Sequence, residues 1–290
     1  MRKLYWCLTL CAVLTFGIAA AGPPVTVQYI ANEGFLIDIG SKKILIDALF
    51  DDETITYAHV PDVSTLEKMG ASQPPFDEVD LVLVTHYHRD HFGIGPVFQH
   101  FTSNSSGILV GPPQMAKELR IVDPEFEVFG ERVREIDLAV FDSAKLELDG
   151  IDLQAFRLPH SAYMETDPET GKERNRHAHV ENLIYLVEVD GVRFVHVGDA
   201  VLSQDPEFFD DGGFPKTEID IAFLEYFDWS DETRAILDEW MTPDHIVFMH
   251  LPPNKEKIEQ LTQHLQKKFP EGFLFAEPLQ VKEFSSAAGQ

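Results

Sequence analysis

The chain is almost without cysteine. Of its 290 residues only Cys7 and Cys11 carry a thiol, and both lie in the apolar stretch at the amino terminus. Residues 22–290 therefore offer no disulfide, no cysteine nucleophile and no thiolate metal ligand, so any transition-metal site must be built from histidine and carboxylate. Basic residues are scarce as well: 23 Lys and Arg stand against 49 Asp and Glu, a formal charge of −26. Such a chain repels phosphate backbones, which counts against a nucleic-acid enzyme, and most of its acidic residues serve solubility. No Pro/Gly-rich linker or low-complexity segment divides it, which points to a single domain over residues 22–290.

Only one long apolar run is present, from Leu4 to about Ile18. It follows the basic pair Arg2-Lys3 and leads into Ala19-Ala20-Ala21, the pattern of a secretory signal peptide over residues 1–21, cut after Ala21. The run is short of the ~20 residues that a spanning helix needs, so no stable membrane span is expected. The expectation is an exported protein, periplasmic or secreted, whose formal charge after loss of Arg2 and Lys3 is −28.

The densest chemistry follows the apolar run Val79–Thr85, which reads as a buried strand. Directly after it comes His86-Tyr87-His88-Arg89-Asp90-His91. In an extended segment residues two apart point the same way, so His86 and His88 can converge on one metal ion. Asp90 and His91 are expected at the start of a helix running to about His100, where the carboxylate would meet the favourable end of the helix dipole. Four ligand-type side chains leaving one junction in two directions suggest two metals. An isolated histidine is usually a hydrogen-bonded core or surface residue, but four ligands at this spacing are hard to assign to packing alone.

Early strands are expected at Val25–Tyr29, Gly34–Asp38 and Lys43–Asp47, and a short helix at Val63–Met69. Further strands are expected at Gly107–Gly111, Arg132–Leu138, Lys145–Leu148, Ile151–Leu158, Leu183–Val189, Val192–Val197, Ile219–Glu225 and His245–Met249. Helices are expected at Pro113–Leu119, Asp231–Trp240 and Asn254–Phe269. Two halves, each beginning with antiparallel strands and ending in strand–helix pairs, suggest an α/β protein with sheet packed on sheet and helices outside. Three more ligand-type residues end apolar runs: His160, Asp199 after Gly198, and His250. Gly198 would let the backbone approach a neighbour closely.

In this order, Asp47 within Ile44-Leu45-Ile46-Asp47, the Thr85–His91 block, His160, Gly198-Asp199 and His250 resemble the metallo-β-lactamase superfamily of hydrolases. The likeness covers nearly all of residues 22–290. It implies a four-layer αβ/βα sandwich with two divalent ions, most often Zn2+ with Mn2+ or Fe2+ as alternatives, at one edge of the sheets. By the same resemblance His86, His88 and His160 would bind one ion, Asp90, His91 and His250 the other, and Asp199 would bridge them. Asp47 would be a buried support for the ligand loop. Leu158-Pro159-His160-Ser161 and Val195–Ala200 look closest to the ascorbate-6-phosphate lactonase-like and N-acyl phosphatidylethanolamine phospholipase D-like branch. A true β-lactamase is a poorer match, because the His-Thr-x-Gly motif is missing around His160 and Gly198-Asp199 supplies a bridging carboxylate.

The implied chemistry is hydrolysis of an ester, lactone or phosphodiester bond in a small substrate by a hydroxide held between two ions. Asp90 would also serve as the catalytic proton acceptor and donor. β-Lactam hydrolysis is the second enzymatic reading, and a non-catalytic periplasmic metal-binding protein is the alternative from another class. The polar connection between His160 and Asn182 is long, and it reads either as a solvated hairpin or as a flap facing the substrate. Tyr163, His177 and His179, with Arg174 and Arg176, are its candidate substrate contacts. Glu225-Tyr226 ends a strand and is assigned mainly to packing.

Overall fold

The computed structural model describes residues 24–285; the signal peptide expected over residues 1–21 lies outside the described residues. The first half of the chain runs β1 (Val25–Ala31), β2 (Gly34–Asp38), β3 (Lys43–Ile46), α1 (Val63–Gly70), β4 (Leu81–Leu83), α2 (Ile94–Ser103), β5 (Ile108–Gly111), α3 (Pro113–Val122) and β6 (Val133–Glu135). The second half runs β7 (Ser143–Leu148), β8 (Ile151–Pro159), β9 (Met164–Thr166), β10 (Glu173–Asn175), β11 (Glu181–Val189), β12 (Val192–His196), α4 (Pro206–Asp210), β13 (Ile219–Glu225), α5 (Asp231–Ile236), β14 (Pro243–Met249), α6 (Lys255–Leu265), β15 (Gly272–Leu274) and β16 (Val281–Phe284).

These strands build two seven-stranded sheets, ordered β16-β1-β2-β3-β4-β5-β6 and β15-β14-β13-β12-β11-β8-β7, beside a two-stranded hairpin of β9 and β10. Each sheet is antiparallel at one side and parallel at the other: the change comes at β3/β4 in the first and at β12/β13 in the second. The carboxyl-terminal β16 pairs with β1, so the chain's end returns to the sheet of its first half.

Period-two patterning explains the layers. On the first sheet Phe35, Ile37, Ile44, Ile46, Leu81 and Leu83 point inward, against Phe156, Tyr185, Phe194 and Phe223 of the second. The alternate residues Leu36, Leu45 and Val82 point outward, under Met69, Val97, Phe101, Met115 and Leu119 of α1–α3. Both faces of these strands are therefore apolar, as parallel strands covered on both sides require. Phe35 is fully buried with its ring 4.7 Å from Phe223, and burying such a side chain is worth about 1.5–3 kcal/mol. Helix entries are set by side-chain caps: Asp62 accepts from Thr65 N at 2.7 Å and Asn254 from Lys257 N at 2.9 Å. This is the α/β sandwich of the metallo-β-lactamase fold.

Several boundaries differ from the sequence reading. The segment Val79–Thr85 forms a strand only over Leu81–Leu83; Val84 N still donates to Val110 O of β5 at 2.9 Å, and Thr85 O accepts from Leu183 N of the other sheet at 3.0 Å. The helix expected to start at Asp90 starts at Ile94, with Gly93 as its cap. Asp90 lies in a turn closed by His91 N and Phe92 N donating to His88 O at 3.0 and 2.9 Å, so the helix dipole does not explain its placement. Arg132–Leu138 contracts to β6, and the helix over Asp231–Trp240 ends at Ile236, continuing as one wider π-type turn to Met241. The 161–181 connection holds the β9–β10 hairpin, and β15, β16 and α4 are further elements absent from the sequence reading.

Candidate metal centre

Strand ends from both sheets meet at one edge, and the ligand-type residues gather there. His86 and His88 lie in the loop that follows β4, and His160 follows β8; one ligand atom of each lies within 4.8 Å of the others. His160 Nε2 is 3.2 Å from His88 Nδ1. A second group holds His91, Asp199 and His250, joined by Glu33, again within 4.8 Å. Asp90 Oδ2 adjoins this group, 3.7 Å from His91 Nε2 and 3.8 Å from His250 Nε2. Asp199 reaches both: Oδ1 is 3.0 Å from His91 Nε2 and Oδ2 is 3.0 Å from His160 Nε2. All seven ligand candidates from the sequence thus converge.

The spacing fits ions better than hydrogen bonds. Four ligands about 2.0–2.1 Å from a tetrahedral zinc are separated from one another by about 3.3 Å. Ligand atoms here come as close as 3.0 Å and lie within 4.8 Å of one another in each group. Asp199 Oδ1 makes no hydrogen bond despite its closeness to His91 Nε2, and the fully buried His86 Nε2 has none either. Atoms so close that do not bond to one another face a common point between them.

The layer behind the histidines fixes which nitrogen is free. Asp47 accepts from Thr85 N at 2.8 Å, from Thr85 Oγ1 at 2.5 Å and from His91 Nδ1 at 3.0 Å. Because the Thr85 hydroxyl donates to Asp47, its oxygen accepts from His86 Nδ1 at 3.1 Å. His160 Nδ1 donates to Ser161 O at 2.9 Å. Each contact occupies Nδ1 and turns Nε2 towards the cluster, the orientation in which imidazole binds metal. Burial, with His160 and His91 nearby, holds His88 down to about 3, so that ring is neutral at working pH. Burial opposes charge on both partners, but in the metal-free centre Asp199 and Asp90 raise His91 well above its ordinary value, and the charged His91 ring in turn keeps the Asp199 carboxyl well below the usual range.

The backbone is strained at this edge. Asn32, Asp47 and His250 are non-glycine residues at φ of 47°, 45° and 57°, the left-handed region that side chains rarely adopt. Gly198 joins them at +54°; a Cβ there would fall 2.5 Å from Asn182 Oδ1 and 2.8 Å from Thr85 Cβ. Its lack of a side chain lets β12 deliver Asp199 against the His86 loop.

A cleft of about 1370 Å³ opens over the cluster. Tyr163, Arg176, His177 and His179 line it, as does Tyr57 from the loop after β3. Arg174 does not: it pairs with Glu165 and Asp167 on the hairpin. His177 Nδ1 lies 3.1 Å from His160 Nδ1, and Tyr163 stacks on the His177 ring at 5.6 Å. His179 instead contacts the Tyr87 hydroxyl at 3.0 Å. His177 and His179 therefore serve different neighbours and form no shared ligand group among the described residues.

Three neighbours escaped the sequence reading of the site, and a fourth, Glu225, was assigned there mainly to packing. Tyr57 donates to Asp90 Oδ2 at 2.9 Å and stacks on His250. Asn32 Nδ2 donates to Asp90 O and Oδ2 at 3.2 and 3.3 Å. Glu33 and Glu225 are wholly buried beside His91 and Asp199. Of these, Glu225 carries the one usable signal: like Asp199 and His250, it ends a buried strand.

A family model described as "Beta-lactamase superfamily domain" matches residues 26–222. A UPF0173 metal-dependent hydrolase of Pyrococcus furiosus is 26% identical over 230 residues, 78% of this chain and 84% of that protein. Among solved structures, the metallo-beta-lactamase fold protein YhfI of Bacillus subtilis superimposes with a TM-score of 0.58 at 15% identity, over 90% of this chain and 99% of its own. An isothiocyanate hydrolase from Delia radicum gut bacteria gives a TM-score of 0.55 at 15% identity, covering 90% and 100%.

Proposed function

The chain belongs to the beta-lactamase superfamily, and we propose that it is an exported dinuclear metal-dependent hydrolase acting on an ester, lactone or phosphodiester bond of a small substrate. His86, His88 and His160 hold one divalent ion, and Asp90, His91 and His250 the other, with Asp199 shared. The observation that carries this reading is the Asp199 carboxylate, whose two oxygens stand 3.0 Å from a histidine nitrogen of each group. The donor set of histidine and carboxylate suits Zn2+, and also Mn2+ or Fe2+. The chemistry supplied by two bound ions is acidification of water towards a pKa of about 7 and neutralisation of charge building on the substrate oxygen.

The chain's own residues supply position and proton handling. Asp90 Oδ2 takes the proton of the attacking water and returns it to the leaving group, at the point where the cleft meets the cluster. Tyr57 and Asn32 hold that carboxylate from two sides. Burial and the Asp90 charge push the Tyr57 hydroxyl above its ordinary range, so it stays a donor at working pH. The β9–β10 hairpin brings Tyr163 and His177 over the cleft, where they contact the substrate. A small ester or phosphodiester fits the ascorbate-6-phosphate lactonase-like and phospholipase D-like likeness of the motifs. Among the described residues no helix is long and apolar enough to cross a membrane.

The test is a panel of esters, lactones, phosphodiesters and β-lactams on protein of measured metal content. Hydrolysis of one class, lost on chelation and restored by returning metal, is expected. Two bound ions with no turnover across the panel would leave a metal-binding protein and refute the enzyme. Asp90→Asn is expected to cut turnover at least a hundredfold; full turnover with both ions bound removes its proton role.

A further inference from the structure

Glu33 lies in the turn between β1 and β2, yet it is fully buried, and its carboxyl meets no basic, amide or hydroxyl donor; the group beside it is the equally buried carboxyl of Glu225. Glu225, at the end of β13, is in the same condition. A buried carboxylate without a partner is costly unless a cation or a proton neutralises it. No lysine or arginine pairs with either residue among the described ion pairs. The nearest positive candidate, His91 Nδ1, is 3.8 Å from Glu33 Oε2 and already donates to Asp47.

Two groups of ligand atoms include Glu33. The one with Asp47 and His196 is closed to an ion. His196 Nδ1 accepts from Gly198 N at 3.2 Å and Nε2 donates to Glu33 O at 3.0 Å, so both ring nitrogens are used. Asp47 is likewise occupied by Thr85 and His91. The other group joins Glu33 to His91, Asp199 and His250, where Asp199 Oδ1 is also unpartnered.

Resting on the dinuclear reading above, we propose that Glu33 is a further carboxylate ligand of the ion held by Asp90, His91, Asp199 and His250. That position then has three carboxylates and two histidines, whereas the other has three histidines and the shared Asp199. The two positions differ in hardness: oxygen-rich sets favour Mn2+ or Fe2+, and imidazole-rich sets favour Zn2+. The centre is thus built to hold unlike metals. Glu225 is the buried carboxyl beside Glu33; burial, with Asp199 nearby, pushes it well above the usual carboxylate range, so it keeps its proton and is not counted among the ligands.

The experiment titrates metal-free protein and its Glu33→Gln variant with Zn2+ and with Mn2+, reading stoichiometry by elemental analysis and the Mn2+ environment by electron paramagnetic resonance. Two ions per wild-type chain are expected, with Mn2+ favoured at one position. In Glu33→Gln one ion stays at wild-type affinity, the Mn2+ affinity falls at least tenfold, and the Mn2+ spectrum changes. The same variant should melt higher than wild type without metal, since an uncompensated buried acid is gone, and gain less Tm from Mn2+. Wild-type affinity for both ions and an unchanged spectrum in the variant overturn the proposal; so does equal weakening of both positions. A wild-type chain that binds fewer than two ions is a different failure, that of the dinuclear reading itself.

Discussion

Asp47→Asn changes one atom and should weaken both metal positions. Asp47 uses two oxygens for three donors, with Oδ1 facing Thr85 N and Oδ2 facing both Thr85 Oγ1 and His91 Nδ1. Asparagine keeps the shape and tolerates the left-handed backbone at φ 45°. Its oxygen must stay opposite Thr85 N, because the reverse orientation sets donor against donor. The amide NH2 then takes the place of Oδ2 and donates to His91 Nδ1, so the proton of that ring moves to Nε2, the atom facing Asp199. The Thr85 hydroxyl, now accepting from the amide, turns its proton towards His86 Nδ1, and His86 too is left protonated at Nε2. Losing such an outer partner typically costs 10–100-fold in metal affinity, about 1.4–2.7 kcal/mol for each ion. Thr85→Val removes the acceptor of His86 and one donor to Asp47 but leaves the Asp47–His91 contact, so it should weaken chiefly the three-histidine position. The assay is zinc titration of metal-free protein against a competing chelator, with near-ultraviolet circular dichroism as the control for folding. A folded Asp47→Asn protein that binds both ions like wild type would refute the relay.

Tyr57→Phe keeps the ring stacked on His250 and removes the donor to Asp90. Because the side chain is half exposed, the loss should be modest, about tenfold in kcat, with metal content unchanged; an unaltered kcat refutes the positioning role. His196 provides a pH prediction. Burial lowers it from 6.5 to about 4 in the folded chain. The neutral ring's contribution is therefore complete above about pH 6.5 and is lost as pH falls through about 4, because the unfolded chain takes up the proton first. That difference amounts to about 3 kcal/mol. In urea titrations of metal-free protein, the stability of wild type relative to His196→Gln should fall by about this amount between pH 6.5 and pH 4, and a flat difference refutes it.

What the sequence disclosed depended on whether burial could be read locally. Apolar runs such as Ile219–Glu225 and the strands of the first hairpin name themselves, and His86, His88, His160, Asp199 and His250 are found by one rule, a ligand-type residue ending a buried strand. Asp90 obeyed the chemistry of that rule but not the local geometry expected for it. The His88 carbonyl closes a single turn with His91 N and Phe92 N, and Gly93, in extended backbone, interrupts it, so the helix starts at Ile94, four residues after Asp90. The β9–β10 hairpin was hidden because its strands are three residues long and mostly polar, stabilised by pairs such as Arg174 with Glu165 that resemble any solvated loop.

Glu33 marks the limit of such reading. Asn32-Glu33-Gly34 has the composition of an exposed turn, and nothing within ten residues says otherwise. It is buried because the β1–β2 turn lies under the edge where the second sheet delivers His196, Asp199 and Glu225, contacts separated from it by more than 160 positions in the chain. Tyr57 is hidden for the same reason, since a loop tyrosine acquires meaning only when Asp90 arrives beside it. Local pattern can say which residues are able to bind a metal. The hardness of a site is decided by how many carboxylates the tertiary fold adds to those ligands, so it is Glu33, rather than the histidine motif, that distinguishes this centre from one built of the seven ligands alone.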